Sequence, residues 1–278
     1  MRKRKPAERR PIVKGRTELL IDRKGRICTL TINRPEKRNA LTPDCLHGMT
    51  EALGEISQEG TVRSVVIRGS GNEAFSSGYD VAALPTKGSR KRMVTLKERP
   101  PIEHAIQAIR DFPYPVLAMI NGYAYGGGCE LAIACDIRIA ARHARMGMPP
   151  AKLGMVYRYS GYRLFLTVLG FTRTLEIFLT GRSYDSQQCL EMGLVNHVVD
   201  SDRLEAVTYE LAREMAENAP LVLRGTKSIL NTIARYPILP QEQIEEFDSL
   251  RDEAFHSRDF EEGKQAFRAK RKPRFEGR

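Results

Sequence analysis

One segment constrains the fold more than any other: Asn121-Gly-Tyr-Ala-Tyr-Gly-Gly-Gly-Cys-Glu130. It joins a strand-like run, Tyr114–Ile120, to a short apolar helix over Cys129–Cys135. A strand that passes through glycines into a helix presents unpaired first-turn N–H groups and a positive dipole end, and glycine lets a ligand approach the backbone closely. Such a turn suits negative charge. It has neither the spacing of a dinucleotide fingerprint nor the Lys-Ser/Thr of a P-loop.

The same cycle recurs along the chain. Glu18–Asp22 and Ile27–Ile32 read as strands joined through Lys24-Gly25. Thr42-Pro43 opens a helix that runs to Gln58, with threonine as cap and proline in the first turn. Val62–Gly69 is a β-branched buried strand, and Ser76–Leu84 a loop leading into a helix. A helix is expected over Pro101–Asp111, a glycine-rich turn over Asn121–Gly128, and short strands over Ile137–Ala140 and Ala144–Gly147. Strand–turn–helix units in succession predict an α/β architecture of stacked turns. From Ser201 the pattern is purely helical, with helices at 201–218, 220–234, 241–256 and 259–270. Three regions follow: a basic, disordered tail at 1–14, an α/β core at 15–200 and a helical region at 201–278.

The formal charge of +11 is concentrated at the ends. Residues 1–10 hold six basic side chains against Glu8, and residues 268–278 six against Glu276. Basic tails attract nucleic acid or anionic surfaces. Apart from Phe267 and Phe275, these lack the aromatics that stack bases, which argues against nucleic acid as the partner. The five cysteines include no C-x-x-C pair, and the histidines have no metal-ligand spacing, so neither disulfides nor a metal is expected. No apolar run long enough to span a membrane exists, and no apolar stretch follows the basic start as in a signal peptide, so a cytoplasmic location is expected.

Asn33-Arg-Pro-Glu-Lys-Arg-Asn-Ala-Leu41, Ala74-Phe-Ser-Ser-Gly-Tyr-Asp80 and the Asn121–Glu130 segment resemble, in order and spacing, the signatures of the crotonase (enoyl-CoA hydratase/isomerase) superfamily. Leu179-Thr-Gly-Arg182 and Glu191–Val199 are similar to its later segments. The resemblance implies a spiral of repeated ββα turns with a C-terminal helical trimerisation region, assembling as a homotrimer or a dimer of trimers. It implies an acyl-CoA thioester as substrate and no permanently bound cofactor. It assigns an oxyanion hole to the backbone N–H groups of Tyr79 and Gly127. It places CoA contacts at Lys37, Arg38, Ala40, Ser77 and Ala82, with Phe267 and Lys270 reaching a neighbouring subunit's site.

The resemblance also implies two glutamates in a hydratase. Glu130 matches the first. The second position holds Pro150, within Met148-Pro-Pro-Ala-Lys-Leu-Gly154, and proline can neither donate a proton nor position water. Tyr157-Arg-Tyr-Ser-Gly161 replaces another family element. This pattern is similar to the methylmalonyl-CoA decarboxylase branch, which keeps one glutamate and a tyrosine at the position of Tyr157. That branch has a histidine where this chain has Tyr79. The expected activity is decarboxylation of a malonyl-type thioester through an enolate. Tyr157 is expected to orient the substrate carboxylate, and Arg158 to draw it in or to pair with Glu130. Two alternatives stay open: a single-glutamate enoyl-CoA hydratase or isomerase, and an RNA-binding crotonase relative.

Overall fold

The computed structural model describes residues 18–80, 99–218, 220–234 and 255–271, together with Glu245 and Asp252. The expected basic tail, Ala82, most of the loop at 85–100 and nearly all of the helix expected at 241–256 lie outside the described residues.

A six-stranded sheet runs in the order β1-β2-β3-β5-β7-β10. Strand β1 (Leu19–Lys24) pairs antiparallel with β2 (Ile27–Ile32), across a turn in which Gly25 has φ +62°. Strands β3 (Ser64–Gly69), β5 (Val116–Ile120), β7 (Ile137–Ala141) and β10 (His197–Val199) then add in parallel. Both faces of the sheet are covered, which explains the near-continuous apolar runs. Side chains alternate between two cores, as the strand period of two demands. Val65, Ile67, Val116, Ala118 and Ile120 pack into the main core with α1 (Pro43–Glu59) and α2 (Pro101–Asp111). Val66, Leu117, Met119 and Ile139 join a second core beneath α6 (Leu204–Glu217).

After each central strand the chain crosses to a second sheet of order β4-β6-β8-β9. Thus β3 leads to β4 (Ala74–Ser76), β5 to β6 (Tyr123–Tyr125), and β7 to β8 (Arg145–Gly147). Each pair is followed by a helix: α2, then α3 (Gly127–Ala134), then α4 (Tyr159–Thr180). Three consecutive ββα turns therefore stack into a spiral, as expected. Asn121, buried where β5 ends, stitches one crossover by donating to the carbonyls of Gly69 (3.1 Å) and Gly71 (2.6 Å) and accepting from Gly69 N–H (3.1 Å).

The stretch from β9 (Ser183–Asp185) through α5 (Ser186–Met192) returns the chain to β10. Helix α7 (Pro220–Ala234) follows α6, and α8 (Arg258–Arg268) packs on the short 3-10 turn Pro150–Leu153. Two details differ from expectation. Residues 123–125 form a strand rather than a turn, and α3 begins at Gly127, two residues early. Helix α4 was not foreseen, because Gly161 and Gly170 interrupt its pattern; the chain breaks at Gly170 (φ 74°, ψ 176°). Packing of Leu164, Phe165, Leu169, Ile177 and Phe178 overrides that weak propensity.

Candidate functional site

The site begins with two loops that lock together. Arg38 and Asn39 adopt left-handed backbone (φ 50° and 55°). Asn39 is buried and its side chain donates to the carbonyls of Ser70 (2.9 Å) and Ala74 (2.7 Å) while accepting from Arg34 N–H (3.0 Å). This holds the loop so that Ser77 N–H donates to the Arg38 carbonyl at 2.9 Å. Lys37 and Arg38 are exposed, Arg38 pairing with Glu73 at 2.7 Å, and Ala40 is buried.

Leu41 forms a parallel bridge to Tyr79. Its N–H donates to the Gly78 carbonyl (2.8 Å), and its carbonyl accepts from Asp80 N–H (3.4 Å). The bridge uses the groups on either side of Tyr79, so Tyr79's own N–H points away from Leu41. Gly78 (φ +92°) brings this loop onto the start of α3, where a Cβ would lie 2.6 Å from the Tyr125 carbonyl oxygen and 3.1 Å from Gly127 N. Gly127 is the first residue of α3, so its N–H has no partner within the helix. Among the described residues neither N–H, of Tyr79 or of Gly127, has an acceptor. Two free backbone donors thus meet at a helix N-terminus. The Tyr79 hydroxyl accepts from Ile102 N–H at 3.2 Å, turning the ring toward the first turn of α2.

Glu130 lies on α3 three residues after Gly127, on the same side of the helix. It is 3% exposed. Burial pushes its carboxyl up to about 7, with the nearby charge of Glu103 adding to the rise; the Tyr157 hydrogen bond and Arg158 act the other way. The Tyr157 hydroxyl donates to Glu130 Oε2 at 2.5 Å. Burial and the adjacent Glu130 charge hold that phenol well above its ordinary value, so it remains a donor. Gly161 makes room for the pair: a Cβ there would lie 2.5 Å from Tyr157 Cε1 and 3.0 Å from Glu130 Oε1. Pro150, where a second acid was sought, is buried at the head of the 3-10 turn.

Arg158 pairs not with Glu130 but with Glu103 on α2, at 2.9 Å, both side chains being 16% exposed. Ser160 Oγ donates to the same Glu103 oxygen at 2.8 Å. Sequence reasoning missed Glu103, Ser160 and Gly161. Glu103 occupies the third position of a helix, where an acid reads simply as a dipole partner. Phe267 and Lys270, on and just after α8, are exposed and make none of the contacts that assemble the site. No group of three potential metal-ligating side chains occurs among the described residues.

A separate cavity of about 460 Å³ lies at the far end of α2, against α7. Its Lys227 is saturated by the carbonyls of Ile109 (3.1 Å) and Tyr114 (3.0 Å) and by Asp136 (2.6 Å). Asn231 Nδ2 also donates to the Arg110 carbonyl at 2.9 Å. These contacts clamp α2 to α7 and leave little chemistry there.

Comparison with known proteins bears on the family and the fold. Residues 22–278 match the family model described as enoyl-CoA hydratase/isomerase. The chain is 29% identical over 253 residues to methylmalonyl-CoA decarboxylase of Escherichia coli strain K12, covering 91% of this chain and 95% of that protein. It is 32% identical over 219 residues to short-chain-enoyl-CoA hydratase of Clostridium acetobutylicum, covering 77% and 80%. A solved structure of methylmalonyl-CoA decarboxylase in complex with 2-nitronate-propionyl-CoA superposes with a TM-score of 0.86 at 28% identity, over 94% of this chain and 99% of that one. The chain belongs to the enoyl-CoA hydratase/isomerase family, within the crotonase superfamily, and is an acyl-CoA-processing enzyme.

Proposed function

We propose that the enzyme decarboxylates a malonyl-type CoA thioester, such as methylmalonyl-CoA. One observation carries this reading: a single buried carboxyl, Glu130, holds a proton near neutral pH beside two free N–H donors, while Pro150 occupies the position of a second acid. The thioester carbonyl oxygen accepts from the N–H groups of Tyr79 and Gly127. The bond between the α-carbon and its carboxylate breaks, carbon dioxide leaves, and the electron pair moves into an enolate. The two donors stabilise that oxyanion, each contributing about 3 kcal/mol by analogy with acyl-transfer sites. Glu130 then protonates the α-carbon, and Tyr157 steadies the resulting carboxylate. Tyr157 thus acts on Glu130 rather than on the substrate, because its proton is already engaged. One acid suffices here, whereas hydration also needs water positioned and activated. Similarity to methylmalonyl-CoA decarboxylases in sequence and fold supports the choice.

Hydration is the second reading, favoured by Glu103, a carboxylate that acts electrostatically on Glu130. Against it, Glu103 is already engaged by Arg158 and Ser160. In either reading Lys37, Arg38, Ala40 and Ser77 line the CoA path, and Phe267 and Lys270 complete a neighbour's site in a trimer or dimer of trimers.

The test is a paired assay on purified enzyme. Methylmalonyl-CoA is followed for carbon dioxide release and crotonyl-CoA for hydration, with Gly127→Pro as the control lacking one donor. Carbon dioxide release far above the control supports the proposal. Hydration without decarboxylation overturns it.

A further inference from the structure

The guanidinium of Arg158 is only half used. Its Nη1 donates to Glu103, but Nε and Nη2 are shielded from solvent and have no acceptor among the described residues. In a planar guanidinium those two N–H groups share one edge, the edge that fits a carboxylate through two parallel hydrogen bonds. Buried donors without acceptors are rare, and two on one fork mark a place where an acceptor belongs. The fork is at the site: Arg158 follows Tyr157, whose hydroxyl holds Glu130, and its partner Glu103 follows Ile102, whose N–H holds the Tyr79 hydroxyl. Tyr157, the neighbouring candidate for this task, is committed to Glu130.

We propose that Arg158, oriented by Glu103, is the specificity-determining receptor for a carboxylate on the acyl group of the substrate. The proposal rests on the reading that this pocket holds an acyl thioester. Glu103 has two roles. With Ser160 beside it, it fixes Nη1 and thereby aims the Nε/Nη2 edge. It also cancels the charge of Arg158. An unopposed arginine would hold the carboxylate most tightly in the ground state and slow its departure, since only preferential binding of the transition state accelerates a reaction. A neutral Arg–Glu pair directs the carboxylate by hydrogen bonds without that full attraction. Glu103 is therefore a positioning residue, acting through Arg158.

The test uses 2-carboxypropyl-CoA and propyl-CoA, thioethers that lack the thioester carbonyl and so cannot form its enolate. Binding is measured by calorimetry on the full-length enzyme. Wild type is expected to prefer the carboxylated thioether at least tenfold. Arg158→Met should abolish the preference while leaving propyl-CoA affinity within twofold, which also shows that the variant is folded. Arg158→Lys, which keeps the charge beside Glu103 but not the fork, should lose most of it. Glu103→Gln should strengthen the preference severalfold and, with methylmalonyl-CoA, lower KM and kcat together. No preference in wild type, or a preference that survives Arg158→Met, overturns the inference. Absence of carbon dioxide release with the preference intact would instead defeat only the decarboxylation reading.

Discussion

Glu130 sets the pH behaviour at the scale of single residues. On the proposed decarboxylation, with the Glu130 carboxyl near 7, its proton is lost as pH rises through neutrality, so kcat should fall between about pH 6 and 8. Glu130→Gln should lower kcat about 10²-fold or more and flatten that profile, read by steady-state kinetics across pH. The same group carries a stability cost of opposite consequence. Its folded value lies above the unfolded value of 4.5, so its contribution is intact below pH 4.5 and lost as pH rises through about 7. Glu130→Gln should accordingly be more stable than wild type at pH 8 by about 3 kcal/mol, and no more stable at pH 4, by urea unfolding. Gly161→Ala tests the room behind the pair. Its Cβ would displace the Tyr157 ring, costing about 1–3 kcal/mol of stability and lowering kcat at least about tenfold. Glu130, Tyr79 and Gly127 could be singled out in the sequence because they lie in contiguous segments that resemble family motifs. Glu103 was not, since its meaning arises only where α2 meets the head of α4, 55 residues on.

Elements with one strong local signal were read well. Strand β2 and helix α2 have the expected limits, the first through a continuous apolar run and the second through Pro101 and the spacing of Ile102, Ala105 and Ile109. Three-residue strands such as β6 and β9 were not, because pairing partners create them and no alternation is visible over so short a run. On the proposed mechanism the element that matters most for chemistry is the N-terminus of α3. Proline is tolerated at a first helical position but supplies no N–H. Gly127→Pro should therefore reduce kcat about 10²–10³-fold through loss of one donor. Gly78→Ala should do comparable damage from the other side, since φ +92° and the Tyr125 carbonyl both oppose a side chain there. Circular dichroism spectra close to wild type for both variants would place the loss in the site rather than in the fold.

The described residues of the whole molecule leave apolar surface that one chain does not cover, including Phe171, Leu179, Val222, Ile229 and Phe267, each more than half exposed. If Phe267 serves a neighbouring site, Phe267→Ala should raise KM for CoA thioesters about three- to tenfold with kcat little changed, and sedimentation should report three or six chains.

Helix α2 ties these scales together. Its first turn holds the Tyr79 hydroxyl and presents Glu103, while its last turn is gripped by Lys227 and Asn231 of α7. A rigid rod of eleven residues fixed at one end transmits position to the other. A chain ending at Asp200 would keep Tyr79, Gly127, Glu130, Tyr157 and Arg158, yet α2 would have lost its anchor. The candidate site is therefore longer than its residues suggest: its foundation lies in the helical region that follows the spiral.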